Sequence, residues 1–454
     1  MKSSKRSMQR TRWVTATAAF WALAAGGALA QTTQSPSAPS GEAVDPFATP
    51  APSAPVPLAE TAPAAMPTTF SDAITNGHLI LEARARYEFV DQANRMHDAT
   101  AATLRTRFGW ETDSWRDFKG LLEFEDVRQI GGYDYYDGVH PHAGLPAPNG
   151  GYPQVSDPEV TELNRLQVTW SPTPTLQATF GRQRIIFDDQ RFVGNSGWRQ
   201  DEVTFDAARL DWSTGNFKAS YAYLGRINRF LGEAQDWDSD SHIVNATYAF
   251  AEPLKVTGFA YLLDLKQSAA NSRATYGLRA TGRSWVSLVG LNYALTYATQ
   301  SDYGNNPAKF NLDFRAGEIS AQYDIFTARL DYESLQGDGV RGFSTPLATL
   351  HAFQGWADLF LTTPAKGIND ANIQLNVKPR FRRDHFFNID LTARWHNFTF
   401  ERGGADIGAE LDAQAMVALT PHLSAGLKYA DFQTDIPTSY PDTTKGWFTL
   451  EYRY

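Results

Sequence analysis

Apolar and polar residues alternate along short segments that recur through most of the chain. In the segment at residues 79–89, one face carries Leu79, Leu81, Ala83, Ala85, Tyr87 and Phe89, and the other carries Glu82, Arg84, Arg86 and Glu88. The segment at residues 217–228 places Phe217, Ala219, Tyr221, Tyr223 and Ile227 together. Side chains of a β-strand alternate with a period of two, so this pattern predicts strands with one apolar face.

Laid end to end, these segments predict about 18 strands. They start near residues 79, 100, 118, 161, 175, 202, 216, 241, 254, 272, 285, 309, 325, 371, 386, 405, 423 and 446. Links after even-numbered strands are tight turns, as at 112–115 and 282–284, whereas links after odd-numbered strands are longer, notably 188–201 and 337–370. Short turns on one side and long loops on the other are typical of outer-membrane proteins. The predicted fold is all-β: a closed antiparallel transmembrane β-barrel with short periplasmic turns and long extracellular loops, and a count of 16 strands stays open.

The last segment, from Trp447 to Tyr454, is strongly amphipathic. Phe448, Leu450, Tyr452 and Tyr454 share one face. In a soluble sheet such a strand is an aggregation-prone edge, but a closed barrel in lipid pairs the edge and covers the apolar face. The segment also resembles the C-terminal signal read by the outer-membrane assembly machinery. We therefore expect outer-membrane lipid and that machinery as partners, with a terminal strand of an ordinary sheet as the alternative.

The N-terminal region divides into two further segments. Residues 1–30 combine a basic head, an Ala-rich apolar run and the cleavage motif Ala28-Leu29-Ala30, which predicts a signal peptide. Residues 31–70 are rich in Pro, Ala, Ser and Thr and predict a disordered periplasmic linker. Residues 71–454 then form the barrel domain. The expected location is the outer membrane of a Gram-negative bacterium.

Composition restricts the possible functions further. The chain has no cysteine, and loss of the signal peptide changes its formal net charge from −9 to −14, which argues against nucleic acid as a partner. The usual hydrolase, metal and nucleotide motifs are missing, so we expect no enzyme, no catalytic residue, no cofactor and no metal. The acidic loop at residues 131–138 leaves calcium as an alternative, although a solvated turn is the favoured interpretation.

Basic residues are frequent on the polar faces of the predicted strands. They include Arg84, Arg86, Arg105, Arg107, Arg329 and Arg394. Guanidinium groups match carboxylates, and a ladder of them around a watery lumen would attract a polyanion and release it stepwise. Carboxylates such as Glu82 and Glu88 lie on the same faces. A ladder of structural ion pairs is therefore an equal alternative.

Three stretches resemble a known family. They are Leu176–Gly194 with its continuation to Asp206, Phe343–Asp358, and Arg84–Asp91. Together they resemble the alginate export family of outer-membrane barrels, over roughly residues 79–454. The resemblance implies an 18-stranded barrel with an arginine-rich path for an anionic uronate polymer. It also places arginines of that path at Arg182 and Arg184, and Gly181 beside them predicts a β-bulge.

The same stretches nominate residues in two long extracellular loops. These are Asp188, Asp189, Arg191, Trp198 and Arg199 in one, and Trp356 and Asp358 in the other. The second of these loops, the longest, could fold over or into the pore mouth, and a solvated loop braced by aromatics is the equal alternative. The sequence thus predicts a channel that passes an anionic polysaccharide, or a related anionic solute, through a lumen lined by Arg84, Arg86, Arg105, Arg107, Arg182, Arg184, Arg329 and Arg394. An uptake porin for small organic acids, sugars or aromatics is the alternative. A structural or adhesive barrel with a closed lumen is the third possibility.

Overall fold

A computed structural model of the chain describes residues 67–140, 151–379 and 388–454. Within these ranges, 18 strands form one sheet in which each strand pairs with its neighbours in sequence. The first strand also pairs antiparallel with the last, from Glu82 opposite Arg453 to Gln92 opposite Thr443. This pairing closes the sheet, so the predicted antiparallel barrel of 18 strands is confirmed.

The strands have the following bounds. They are β1 (His78–Gln92), β2 (Ala99–Glu111), β3 (Phe118–Asp134), β4 (Val160–Thr173), β5 (Leu176–Gln183), β6 (Thr204–Thr214), β7 (Phe217–Asn228), β8 (Trp237–Ala251) and β9 (Leu254–Leu263). The second half comprises β10 (Arg273–Val286), β11 (Val289–Asp302), β12 (Asn311–Tyr323), β13 (Phe326–Leu335), β14 (Ile368–Val377), β15 (Asn388–Thr399), β16 (Asp406–Ala418), β17 (Leu423–Thr434) and β18 (Thr443–Arg453). Short 3-10 turns cover Glu233–Gln235, Ala269–Asn271 and Leu350–Ala352.

The two faces of the barrel wall differ as the alternation predicted. Outward side chains such as Tyr87, Leu330 and Phe448 are exposed on the outer surface, where lipid would cover them. Inward neighbours such as Arg86 and Thr449 are buried. No helix in the described ranges is long and apolar enough to cross a membrane.

Three local predictions were wrong, and two of them concern glycine. Residues 282–284 do not form a turn, because β10 continues to Val286 and the turn lies at Ser287 and Leu288. A Cβ atom on Gly282 would lie 1.8 Å from the carbonyl oxygen of Pro253, so this glycine serves a close approach of the backbone.

Gly181 does not form a bulge. It pairs in register with Gln167, and its φ angle is +116°. A bulge occurs instead in β7, where the register shifts between Leu224 and Arg226. This shift moves Ile227 away from the outer apolar face and buries it inside the barrel.

A short helix, α1 (Phe70–Thr75), precedes the barrel and was not predicted. Thr69 caps it, since its hydroxyl accepts a hydrogen bond from the Asp72 amide at 3.1 Å. The indole of Trp110 donates to the carbonyl of Ile74 at 2.9 Å, which attaches α1 to the end of β2. The signal peptide at residues 1–30 and nearly all of the linker at 31–70 lie outside the described residues and stay predictions.

Candidate functional site

Two long connections fold into the interior of the barrel. We call residues 184–203, between β5 and β6, the first inward loop, and residues 336–367, between β13 and β14, the second inward loop. The first inward loop spans the lumen, because Asp188 accepts a hydrogen bond from Asn245 on β8 at 2.8 Å and Gly197 accepts one from Arg84 on β1 at 3.0 Å. The structure therefore places both loops inside the wall rather than out in solvent.

The two loops meet and form a single body, the plug. Val193 and Leu347 pair as an isolated parallel β-bridge, and the hydroxyl of Thr349 donates to the side chain of Gln190 at 2.6 Å. In the strand order, β5 and β13 are eight places apart in a closed ring of 18, so the loops begin on nearly opposite sides. The plug therefore bridges the lumen.

Apolar side chains form the body of the plug. Phe192 packs edge-to-face against Phe314 of β12 and Phe343 of the second inward loop, with ring centroids 5.3 and 6.3 Å apart. On another side, Phe360 of the second inward loop packs against Phe398 of β15 and Phe432 of β17. The lumen of a wide barrel is normally polar, and these inward phenylalanines create an apolar seat that fixes the plug.

Arg84 and Arg86 of β1 both contact the first inward loop. Arg84 donates to the side chain of Gln200 at 2.9 Å and to the carbonyls of Gly197 and Arg199. The guanidinium of Arg86 lies over the ring of Trp198, 4.2 Å from its centroid. Both arginines are 2% exposed, so the plug covers them completely.

Arg105 and Arg107 of β2 lie among carboxylates. Arg105 donates to Glu82 and Glu451, each at 3.1 Å. Arg107 donates to Glu125 and lies 3.2 Å from Glu202 of the first inward loop. Neither arginine is exposed, and each forms ion pairs within the barrel.

Arg184 completes this network from the plug side. It donates to Glu202 at 2.6 Å and lies 3.5 Å from Glu123. Burial alone would raise the pKa of Glu202, but the positive charges of Arg107 and Arg184 outweigh it and hold this pKa well below its ordinary value. Glu202 is therefore ionised. Burial beside Glu125 raises the pKa of the neighbouring Asp201 well above its ordinary value.

The remaining predicted arginines are distributed around the wall. Arg182 pairs with Asp206 at 2.7 Å, and Arg329 pairs with Asp331 at 2.7 Å. Arg394 donates to Gln374 at 3.1 Å. The eight predicted arginines thus form no continuous open ladder in this conformation, and their role in a substrate path stays a prediction.

The loop residues nominated from the sequence lie in the plug. Asp189 pairs with Arg279 of β10 at 2.9 Å and is partly open to the lumen. Arg191 is buried, donates to Glu333 at 3.0 Å and lies over Phe353, 4.7 Å from the ring centroid. These contacts link the plug to the wall on the side opposite Arg84.

An aromatic box joins both loops to β17 and β18. The ammonium of Lys428 lies 3.6 Å from the ring centroid of Trp356 and 4.1 Å from that of Trp198, and Trp447 lies 5.8 Å away. Trp198 also stacks on His351 with centroids 4.0 Å apart. Cation–π contacts strengthen when they are desolvated, as here.

The contacts of the two ring nitrogens of His351 favour the neutral form of the ring. Nδ1 lies 2.7 Å from Asp358, and Nε2 lies 2.7 Å from the ammonium of Lys428, so Nδ1 carries the proton and Nε2 accepts. A second proton would have to sit against an ammonium. Burial, together with Lys428, accordingly lowers the pKa of His351 well below its ordinary value despite Asp358.

Asp358 connects the plug to the wall through charges. It accepts from Arg199 at 3.0 Å and from Lys445 of β18 at 3.1 Å. Burial opposes ionisation, but His351, Lys445 and Arg199 hold the pKa of Asp358 well below its ordinary value. Asp358 is therefore a buried anion held by a cation of the first inward loop, a cation of the wall and a hydrogen bond from the neutral ring of His351.

Sequence reasoning missed several residues of this site. Lys445 lies on the inward face of β18, and the alternation of that segment was sufficient to find it. No sequence signal marks His351 or Glu202, because their partners are distant in the chain. The same holds for Glu410 of β16, which accepts the amide of Ala357 at 2.7 Å. In the described part of the chain, no group of three or more His, Cys, Asp or Glu residues is arranged to hold a metal ion.

The comparisons with known proteins agree with this architecture. The family model described as alginate export matches residues 78–325, more than half of the chain. Among solved structures, the barrel is similar to OccK9 (OpdG) of Pseudomonas aeruginosa, with a TM-score of 0.64 and 12% identity over 84% of this chain and 99% of that one.

OccAB2 of Acinetobacter baumannii has a TM-score of 0.63 at 13% identity, covering 84% of this chain and 99% of its own. OccAB4 of the same organism has a TM-score of 0.63 at 11% identity, covering 83% and 98%. At these identities the likeness shows the fold alone. No curated protein matches the chain. On the family match, the chain belongs to the alginate export family of outer-membrane β-barrel proteins.

Proposed function

We propose that this outer-membrane channel passes an anionic polysaccharide of the polyuronate type, or a related anionic solute, by diffusion along a basic strip of the inner wall. The basic strip consists of inward side chains from the neighbouring strands β17, β18, β1 and β2. Its members are Arg84, Arg86, Arg105, Arg107, Lys428 and Lys445. The family match supports the class of cargo, and the basic strip supplies the chemistry.

One observation carries the proposal. Arg84 of β1 and Arg105 of β2 are directly opposite each other in the strand register. Like charges at opposed positions destabilise a sheet, so a barrel selected for stability alone would avoid this pair. Glu451 of β18, which lies opposite Arg84 and accepts from Arg105, offsets part of this repulsion, and a further anion between the two guanidinium groups would offset more of it with charge-assisted hydrogen bonds. We infer that the pair is retained for binding carboxylates.

Passage would then proceed by exchange between cations. Each guanidinium offers a planar fork that matches a carboxylate, and a polymer with regularly spaced carboxylates can transfer from one fork to the next. The carboxylates among the arginines, such as Glu82 and Glu451, keep any single site from holding the polymer too tightly. Direction is set by the concentration gradient of the polymer.

A second candidate is uptake of small organic acids or sugars. Away from the basic strip, wall cations are paired with acids, as in Arg209 with Asp211 at 2.7 Å and Arg329 with Asp331 at 2.7 Å. A wall of balanced pairs favours small solutes over a polyanion, because it gives little net attraction.

Single-channel recording in planar bilayers tests the proposal. We expect conducting openings to prefer anions under a KCl gradient and oligogalacturonate to interrupt them, with no effect of neutral dextran oligomers. The double variant Arg84→Gln with Arg105→Gln should lower the anion preference several-fold. Arg128→Gln is the control, because Arg128 is exposed and pairs with Asp126 outside the basic strip. An unselective pore that ignores uronates would overturn the proposal and favour the second candidate.

A further inference from the structure

We propose that the plug is held in the lumen by the same cations that would bind the cargo, so that an anionic polymer releases the plug by replacing its oxygen atoms. This inference rests on the proposed function and specifies its regulation. In the structure the basic strip is covered, and a polymer reaches it only as the plug leaves. Cargo and plug would therefore compete for one set of side chains.

Arg84 is the first point of competition. Its guanidinium donates to one amide oxygen, from Gln200, and to two backbone carbonyls, from Gly197 and Arg199. All three acceptors are neutral, so only the guanidinium contributes charge to these bonds, whereas a carboxylate would add the opposite full charge and can accept two parallel bonds from the guanidinium. A uronate carboxylate would thus bind Arg84 more strongly than the plug does.

Lys445 is the second point of competition. Its partner in the plug is Asp358 at 3.1 Å, so the plug uses its own carboxylate where the cargo would place one. At Lys445, a uronate carboxylate would replace the carboxylate of Asp358. Because the two groups are chemically alike, this replacement changes the free energy little. Asp358 keeps Arg199 as a partner when it leaves the wall, because Arg199 belongs to the plug and lies 3.0 Å away.

Two other charged side chains of β1, Arg86 and Glu88, face the plug with poor hydrogen bonding. Among the described residues, none of the three guanidinium nitrogens of Arg86 and neither carboxylate oxygen of Glu88 has a hydrogen-bond partner. The nearest ion pairs of these groups are long, with Asp157 at 3.9 Å and Arg199 at 3.6 Å. Buried charges without hydrogen bonds destabilise the closed state, and this lowers the cost of releasing the plug.

The frequency of channel openings tests the inference. For the unchanged protein, we expect low concentrations of oligogalacturonate to raise the opening frequency about tenfold, equivalent to about 1.4 kcal/mol. Neutral dextran oligomers should leave it unchanged. Asp358→Asn removes the charge that the plug places at Lys445, so it should raise the opening frequency about tenfold without polymer.

Asp338→Asn is the matched control. Asp338 lies in the same loop, is partly exposed and pairs with Arg341 at 3.4 Å, away from the wall. This variant should behave as the unchanged protein does. Arg199→Gln is a second test from the other loop, because it leaves the buried Glu88 of β1 without its plug cation at 3.6 Å, and it should also raise the opening frequency. Heat-dependent electrophoretic mobility checks that each variant is a folded barrel.

The outcomes separate this inference from the proposed function. If Asp358→Asn and Arg199→Gln, both folded, open no more often than Asp338→Asn, the inference is overturned. It is also overturned if oligogalacturonate interrupts open channels but never raises their frequency, and in that case the anion pathway stands. If the variants open freely and their currents are unselective and indifferent to oligogalacturonate, the proposed function fails together with the competition that depends on it.

Discussion

Arg107 lies at the centre of the largest buried charge network, between the wall and the plug. Its guanidinium donates to Glu125 and lies 3.2 Å from Glu202 and 3.5 Å from Glu82. The sequence marked this residue as part of a substrate path. Its surroundings indicate that it also neutralises three carboxylates, two of them fully buried, and such a charge contributes to stability only as long as its partners are present.

Arg107→Gln should therefore destabilise the barrel strongly. Glu202 keeps Arg184 and Glu82 keeps Arg105, but the substitution leaves the buried Glu125 without its ion-pair partner, and an uncompensated buried charge costs about 3–5 kcal/mol. The measurement is the thermal unfolding midpoint in detergent. Arg128→Gln is the control, because the exposed pair with Asp126 contributes about 0–1 kcal/mol. Equal midpoints for the two variants would contradict the role assigned to Arg107.

His351 makes the seat of the plug sensitive to pH. Its ring faces Asp358 of its own loop, Lys428 of β17 and Arg199 of the other loop, and its pKa is well below the ordinary value. A depressed pKa in the closed state stabilises that state above the ordinary value of about 6.5, and this contribution is lost as the pH falls below it. Asp358 stays ionised over this range because its own pKa is also lowered.

We expect openings to become more frequent between about pH 6.5 and pH 5. His351→Gln should remove this part of the pH dependence, because an amide can donate to Asp358 and accept from Lys428 but does not titrate. The measurement is the opening frequency of both proteins across the range. A pH response that is identical in the variant would assign the effect to another group.

At the scale of elements, the strand that leads into the first inward loop depends on one glycine. Gly181 lies in β5, just before the first inward loop, with a φ of +116°. A Cβ atom there would lie 2.2 Å from the carbonyl oxygen of Leu166 on β4. The strained angle and the close approach both require glycine.

Gly181→Ala should destabilise the β4–β5 pair by about 1–3 kcal/mol, as expected for a side chain in a disfavoured backbone region. The unfolding midpoint and the opening frequency both report on it, since β5 carries the first inward loop. Gly446→Ala is the control, because a Cβ atom there meets nothing within 4 Å. If both alanine variants unfold at the same temperature, the claim that the β4–β5 pair requires glycine at position 181 is wrong.

At the scale of the whole molecule, the plug crosses a lumen that the strand count alone would leave open. The two inward loops begin on nearly opposite sides of the ring and meet at the Val193–Leu347 bridge. Release of the plug therefore requires the loops to part. The distance between paired β-bridge residues suits a disulfide.

Val193→Cys with Leu347→Cys should lock the closed state. The natural chain has no cysteine, so only this pair can form a disulfide. Oxidised protein should conduct rarely, with or without oligogalacturonate, and reductant should restore the response. Each single-cysteine variant is a control. A polymer response that persists after oxidation would show that the plug moves as one body.

Predictions from the sequence succeeded where the signal lies within one strand and failed where it depends on neighbouring strands. The alternation in β1 assigned Arg84 and Arg86 inward and Tyr87 outward, and the structure agrees. The alternation failed at Ile227, because the bulge in β7 shifts the register and the chain carries no unambiguous mark of it. It also read Gly282 as a turn, because sequence cannot distinguish glycine needed for a turn from glycine needed for a close approach.

The sequence by itself determined the closed barrel and the polarity of its two faces, because a period of two is a local property of each strand. It favoured 18 strands over 16, and it nominated several residues of both inward loops. Only the tertiary structure decided that the ring closes with 18 strands, that these loops cross the lumen and that Arg84, Lys445 and Arg107 have partners in them. Those partners lie far apart in the chain, and contacts at such separations depend on ring closure and on how the loops pack, which no local pattern encodes.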